Sequence, residues 1–248
     1  MAWIEILTSI TCILKLDVTR VRALLRWLRI PRANGVKQRY KFRLKTQELR
    51  TIKMKIQPAL SCRKIKLSFR NYIDWFSLLL FKIVMKISWV PQRERCIYIV
   101  DIDNTLAHTW PSHTYKYSSQ KQKYLSLSVM WKIFHEVKKI QQGGNRIVFL
   151  SARKCTLYFV TMAWLKSSGM AVSWSNLFLV SSAEKKIAFL EHAIRLGCKI
   201  TYIDDLSGNH EKGEVIMYEG IINKVKKYKE VEYLGYEYID KVCSKRNS

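Results

Sequence analysis

Negative charge is what this sequence has least of: 19 Asp and Glu stand against 44 Lys and Arg, for a formal net charge of +25 over 248 residues. Such an excess draws polyanions and anionic membranes toward the protein and leaves the fold undetermined. It is unevenly placed, because residues 1–70 hold 18 of the basic residues and only Glu5, Asp17 and Glu48 of the acidic ones. That segregation reads as an interaction tail or face. Glycine and proline are also sparse, at 9 and 4, beside 48% hydrophobic residues, a balance that excludes disorder throughout the chain. Cys12, Cys62, Cys96, Cys155, Cys198 and Cys243 form no close pair and no His/Cys ligand spacing. They suggest neither a zinc site nor a disulfide framework, and free thiols in a reducing cytoplasm are expected. Long apolar runs are missing too. The opening MAWIEILTSITCILKL lacks a basic start, carries Glu5 early and ends at Lys15, so it does not read as a secretory signal. Trp75–Val90 is interrupted by Lys82 and Lys86 and falls short of the roughly 18–20 apolar residues of a spanning helix. The expected location is cytoplasmic, at most peripheral at the inner face of the membrane.

Residues 1–92 read as a basic amino-terminal extension. Over residues 9–30, Ile10, Ile13, Leu14, Val21, Leu24, Leu25 and Leu28 recur at helical spacing while Arg20, Arg22, Arg26 and Arg29 fall largely elsewhere, which predicts a basic amphipathic helix. The period then becomes two over residues 37–45, 52–56 and 65–70, so short strands with one cationic and one apolar face are expected. Such faces suit phosphates, although lysine on a solvated edge is also ordinary. Residues 72–90 predict a second helix whose apolar side must be covered, by the rest of the protein in preference to a membrane interface. Residues 91–95 form a polar break, where the domain boundary is placed.

From residue 93 to 243 the pattern becomes regular. Continuous apolar runs at Ile97–Val100, Ile147–Leu150, Leu177–Val180 and Ile200–Ile203 read as buried strands. Helical spacing separates them at Val129–Ile140, Leu157–Leu165 and Glu184–Leu196, with a further helix at Ile221–Tyr228 and an apolar-aromatic segment at Tyr233–Tyr238 that completes the sheet or packs beside it. Strands alternating with helices predict an α/β fold, a Rossmann-like three-layer sandwich around a central parallel sheet. Residues 244–248 are expected to be a frayed tail.

In such sheets the chemistry collects beyond the carboxyl ends of the strands. There the sequence places Asp101, Asp103 and Thr105 (YIVDIDNTL), Ser151 with Arg153 (FLSAR), a helix bearing Lys185 and Lys186, and Asp204-Asp205 (YIDD). Singly each is a weak signal. Together, in this order, they form a set that a hard divalent cation and a phosphoryl group would need: carboxylates as oxygen ligands, a carboxylate able to attack phosphorus, a second as acid or base, and a hydroxyl and an ammonium for the phosphoryl oxygens.

This arrangement resembles the four motifs of the haloacid dehalogenase superfamily, over roughly residues 96–210, the first motif being the specific one. The resemblance implies Asp101 as nucleophile and Asp103 as general acid/base, with Mg2+ held by Asp101, by the backbone carbonyl of Asp103 and by Asp205, and with Asp204 in support. It implies Thr105, Ser151 and Lys186 as the phosphate-binding set, Thr105 steadying the first loop. The family pattern places an apolar residue four positions after the lysine, which Lys186 with Leu190 fits modestly better than Lys185 with Phe189, and the choice between the two lysines stays open. Asn209 falls where many members carry another acid, and Ser151 replaces the commoner threonine. An aspartate at position 103 favours phosphomonoester hydrolysis.

About 50 residues separate Asp101 from Ser151 and about 35 separate Ser151 from Lys186, so neither gap holds a full cap domain. Only His108–Leu127 remains as a loop or flap, in which His108 and His113 are more readily bystanders than ligands. An uncapped site admits large substrates. The expected function is therefore a Mg2+-dependent phosphatase acting on a phosphomonoester borne by something bulky or polyanionic: a glycan, a lipid-linked sugar, a polynucleotide end or a protein. Residues 1–90 would meet nucleic acid or an anionic membrane surface, and no obligate protein partner is evident. The alternative is a binding protein in which that extension does the work and the phosphatase-like domain is a scaffold.

Overall fold

The computed structural model describes residues 62–87, 96–113, 115–208 and 215–244. The expected helix at 9–30, the alternating segments at 37–45 and 52–56, the boundary at 91–95, Asn209 and the tail at 245–248 lie outside the described residues. The compact unit that holds the sheet runs Lys66–Ser248.

Five parallel strands form the centre: β1 (Cys96–Val100), β4 (Arg146–Ser151), β5 (Leu177–Leu179), β6 (Lys199–Ile203) and β9 (Val231–Leu234), in the spatial order β5-β4-β1-β6-β9, while β7 (Ser207–Gly208) and β8 (Ile216–Met217) pair with each other outside that sheet. Each parallel step needs a crossover, and helices supply them. They are α3 (Trp131–Gln142), α4 (Tyr158–Ser167), α5 (Ala183–Arg195) and α6 (Glu219–Lys226), while α7 (Tyr236–Ser244) follows the last strand. Period-two alternation divides the strands' apolar residues between two cores. On one face Val100, Phe149 and Leu177 meet Phe134 and Val137 of α3, Trp164 of α4 and Ile239 of α7. On the other Ile99, Leu150 and Tyr202 meet Phe189 and Leu190 of α5 and Val225 of α6. The result is the three-layer α/β sandwich that the alternation of strands and helices predicts.

Two elements extend or correct the sequence reading. Tyr233–Tyr238 divides into the end of β9, which completes the sheet beside β6, and the first turn of α7. Residues 65–70, expected as a strand, belong instead to a 26-residue helix α1 (Cys62–Ile87). No glycine or proline interrupts that stretch. Extending a helix already under way adds a hydrogen bond for each residue fixed, whereas an isolated six-residue strand has no partner to pair with. The helix packs on the sheet through Phe81, Val84 and Met85, spaced at helical intervals and essentially inaccessible, with the Phe81 ring 5.3 Å from Phe178 and 5.0 Å from Phe189. No helix among the described residues is long and apolar enough to cross a membrane.

The flap is also more ordered than a plain loop. It is closed at its base by β2 (Ala107–His108) pairing antiparallel with β3 (Ser128–Val129), and between them lie a 3-10 turn at Trp110–His113 and a short helix α2 (Gln120–Leu125).

Because Phe81 sits in the core rather than on an appended segment, Phe81→Ala should cost about 3–5 kcal/mol in urea unfolding. A loss under about 1 kcal/mol would mean that α1 is not part of the cooperative unit.

Candidate active site

Counted in chain order, the sheet runs third, second, first, fourth, fifth, so the winding reverses beside β1. At such a switch point the loops leaving adjacent strands splay apart and open a crevice. The register pairs Val100 with Phe149 on one side and with Ile203 on the other. Residues just past these three strand ends are therefore neighbours, and Asp101 donates its backbone N–H to the Ile203 carbonyl at 2.9 Å. The crevice is a pocket of about 420 Å³ whose lining includes Asp101, Asp103, Lys186, Asp204 and Asp205.

Lys186 is the hub. It leaves the second turn of α5, is 2% exposed, and places Nζ 2.9 Å from Asp101 Oδ1 and 2.7 Å from Asp204 Oδ2. Lys185, one position earlier, is exposed. Asp204 is held on all sides: the Tyr202 phenol donates to Oδ2, Leu206 N–H donates to Oδ1 at 3.0 Å, and the Tyr233 hydroxyl donates to its backbone carbonyl at 3.0 Å. Asp205 receives the Thr105 hydroxyl at 3.4 Å and that of Ser207, while its N–H donates back to Thr105 Oγ1 at 3.3 Å. Thr105 thus ties the loop after β1 to the loop after β6. Both loops turn through left-handed residues, Asn104 at φ 53° and Leu206 at φ 43°. Asparagine adopts that conformation readily, whereas Leu206 is strained and persists because its side chain is buried.

Asp103 belongs to a second cluster. Arg153 Nε and Nη2 each donate to its carboxylate at 2.8 Å, a bidentate pair, and Ser151 and Thr109 hydroxyls add bonds at 3.1 and 2.6 Å. Arg153 is buried, donates also to Thr161, and lies 4.9 Å over the Tyr124 ring. The sequence pattern gives Arg153 no role and does not single out Thr109, Tyr202 or Ser207. The signal for Arg153 is its place two residues past the end of β4, among the loops at the carboxyl ends of the strands. His108 is exposed and does not line the pocket.

The two carboxyls at residues 101 and 103 are driven apart electrostatically. Burial pushes Asp101 up to about 8; Lys186 opposes this, and the carboxylates of Asp204, Asp103 and Asp205 add to it. For Asp103 burial also pushes upward, but the charge and hydrogen bonds of Arg153, with the hydroxyls of Thr109 and Ser151, bring it down to about 2. Asp101, Asp204 and Asp205 each offer a carboxylate oxygen within 4.8 Å of the others. Asp101 Oδ1 is buried and, although close to Lys186, accepts no aligned hydrogen bond. All-oxygen donors, buried negative charge and an under-satisfied carboxylate fit a hard divalent cation, Mg2+ among them. The chain matches no family model and no curated protein.

The Asp101 shift has a measurable consequence. A carboxyl whose folded value lies near 8 keeps a proton that the unfolded chain loses near 3.8. Its contribution to stability is therefore full below the unfolded value and is lost as pH rises toward 8. Thermal melts in a chelator should show Asp101→Asn gaining on the wild type as pH rises from 5 to 8, by roughly 5 °C or more at the upper end. A constant difference across that range would contradict the shift.

Proposed function

We propose that the described α/β unit is a Mg2+-dependent phosphomonoester hydrolase of the haloacid dehalogenase type, working through a phosphoryl group carried on Asp101. The observation that supports this best is the convergence of Asp101, Lys186, Asp204 and Asp205 in one buried cluster at the switch point of the sheet. Asp101 is the carboxylate best placed to attack: it lines the pocket and has one oxygen facing the shared lysine.

In this reading Asp101, Asp205 and the backbone carbonyl of Asp103 would hold the metal. Asp204, its oxygens taken by Lys186, Tyr202 and Leu206 N–H, orients the lysine. An ion held there would supply neutralising charge for the phosphoryl oxygens and for the Asp101 carboxylate. Asp101 forms a bond to phosphorus as the ester oxygen departs. Lys186 and Ser151 donate to the phosphoryl oxygens as charge spreads over them. Asp103 begins as an Arg153-bound carboxylate. Arg153 and Ser151 are buried and donate to Asp103 from behind the pocket, so Asp103 must turn from them to meet a phosphoryl group in the crevice. Turned from the guanidinium, Asp103 takes a proton from solvent, passes it to the ester oxygen as its bond to phosphorus breaks, and then accepts one from the water that attacks phosphorus and releases the Asp101 carboxylate. The open crevice suits an ester borne by a large group, the extension at residues 1–61 adding attraction for anionic surroundings.

Hydrolysis of p-nitrophenyl phosphate should require Mg2+, stop in EDTA, and fall at least about a thousandfold in Asp101→Asn. Equal rates for wild type and variant would overturn the proposal.

A further inference from the structure

Helix α1 carries a buried carboxylate that the proposed mechanism does not use. Phe81, Val84 and Met85 cover the sheet with hydrocarbon, and Ser77 and Asp74, at helical intervals toward the amino end of the same helix, are buried as well, Asp74 at 6% exposure. A buried carboxylate is costly unless its oxygens are hydrogen-bonded. Both oxygens of Asp74 are taken by a single residue: Ser181 donates its backbone N–H to Oδ1 at 2.7 Å and its hydroxyl to Oδ2 at 2.5 Å.

Ser181 belongs to the wall of the catalytic pocket. With Ser182, Ala183 and Glu184 it forms a continuous stretch of the lining, which leads from the end of β5 into α5 and so to Lys186. At the sheet this stretch is anchored, because Val180 N–H donates to the Ser151 carbonyl at 3.0 Å. At the helix it is not. Ser182 stands at the N-cap of α5 with extended backbone and makes no side-chain cap bond, so the first turn lacks the lock that a capping side chain ordinarily gives. Asp74 supplies a lock one residue earlier, from 107 positions away in the sequence. Two bonds to one carboxylate fix the orientation of Ser181 as well as its place. The consequence falls on Lys186, which follows five residues later and whose Nζ lies between Asp101 and Asp204. A shift of the loop would carry the lysine with it, and a misplacement on the order of 1 Å at a reacting centre costs up to about a hundredfold in rate.

We propose that Asp74 is a positioning residue for Lys186, acting through Ser181, so that α1, outside the residues that carry the phosphatase motifs, is part of the working site; the inference rests on the phosphatase reading above. Full-length protein with Mg2+ would be assayed on p-nitrophenyl phosphate, each variant well below its melting temperature. Asp74→Ala should lower kcat about tenfold or more with KM changed less than about threefold, because Lys186 meets charge that develops in the transition state. Asp74→Asn keeps an acceptor for the Ser181 N–H and turns a donor toward the hydroxyl, and should stay within about threefold of wild type. Val84→Ala removes packing from the same buried face about 15 Å along the helix and should leave kcat within about twofold. An unchanged kcat in Asp74→Ala, an equal fall in Val84→Ala, a change confined to KM, or no recovery in Asp74→Asn would each overturn the role. Where Asp74→Ala does not fold, Asp74→Leu, which keeps the volume and removes both acceptors, takes its place with the same expected fall. Hydrogen exchange read by mass spectrometry is independent of turnover: the peptide covering residues 180–186 should exchange faster in Asp74→Ala than in wild type or Val84→Ala, and equal exchange contradicts the clamp. Failure of the phosphatase reading shows separately, as equal p-nitrophenyl phosphate hydrolysis by wild type and Asp101→Asn.

Discussion

One buried ammonium shared between two carboxylates governs the architecture of the site. Lys186 joins Asp101, at the end of β1, to Asp204, at the end of β6, and one positive charge cannot satisfy two buried negative ones. Buried ions that lack full compensation are costly, and a protein retains them where they serve something else. Here the imbalance falls on Asp101, whose carboxyl is pushed up to about 8. A bound cation would relieve it. The arrangement around Lys186 follows from that need, with Tyr202 and Leu206 N–H saturating Asp204 so that the lysine stays in place.

The second ionic cluster is kept apart from the first. Asp103 is only two residues from Asp101, but Arg153 draws its side chain into a bidentate pair and holds it down to about 2. Two neighbouring carboxyls thus sit in opposite states, one disposed to be neutral without a counter-ion and the other fixed as an anion. Environments that separate two titratable groups in this way are a recurring route to distinct chemical roles. The backbone supports the division: Thr105 ties the β1 loop to Asp205, while Thr109, beyond the same turn, binds Asp103.

Much of this was legible in the sequence because parallel strands buried on both faces appear as uninterrupted apolar runs. Ile97–Val100, Ile147–Leu150 and Ile200–Ile203 mark three strands, and each ends at a polar residue of the site. Lys185 and Lys186 each precede an apolar residue by four positions, Phe189 and Leu190, so the sequence leaned to Lys186 without settling it, and burial separates the two. The misread segment was 65–70, where a brief period of two lay inside a much longer helix. β2 and β3, two residues each, are too short to show any period. The partnership of Asp103 with Arg153 joins residues 50 positions apart, and only the register of β1 against β4 brings them together.

The central claim is that Asp101 carries the phosphoryl group. Its most direct test is acid-quenched single-turnover reaction with Mg2+ and p-nitrophenyl phosphate, followed by peptide mass spectrometry. The account predicts one phosphoryl group on the peptide containing Asp101, labile to base and absent from Asp101→Asn. Hydrolysis that proceeds with no phosphoryl group on that peptide, or with one on a different residue, would contradict it.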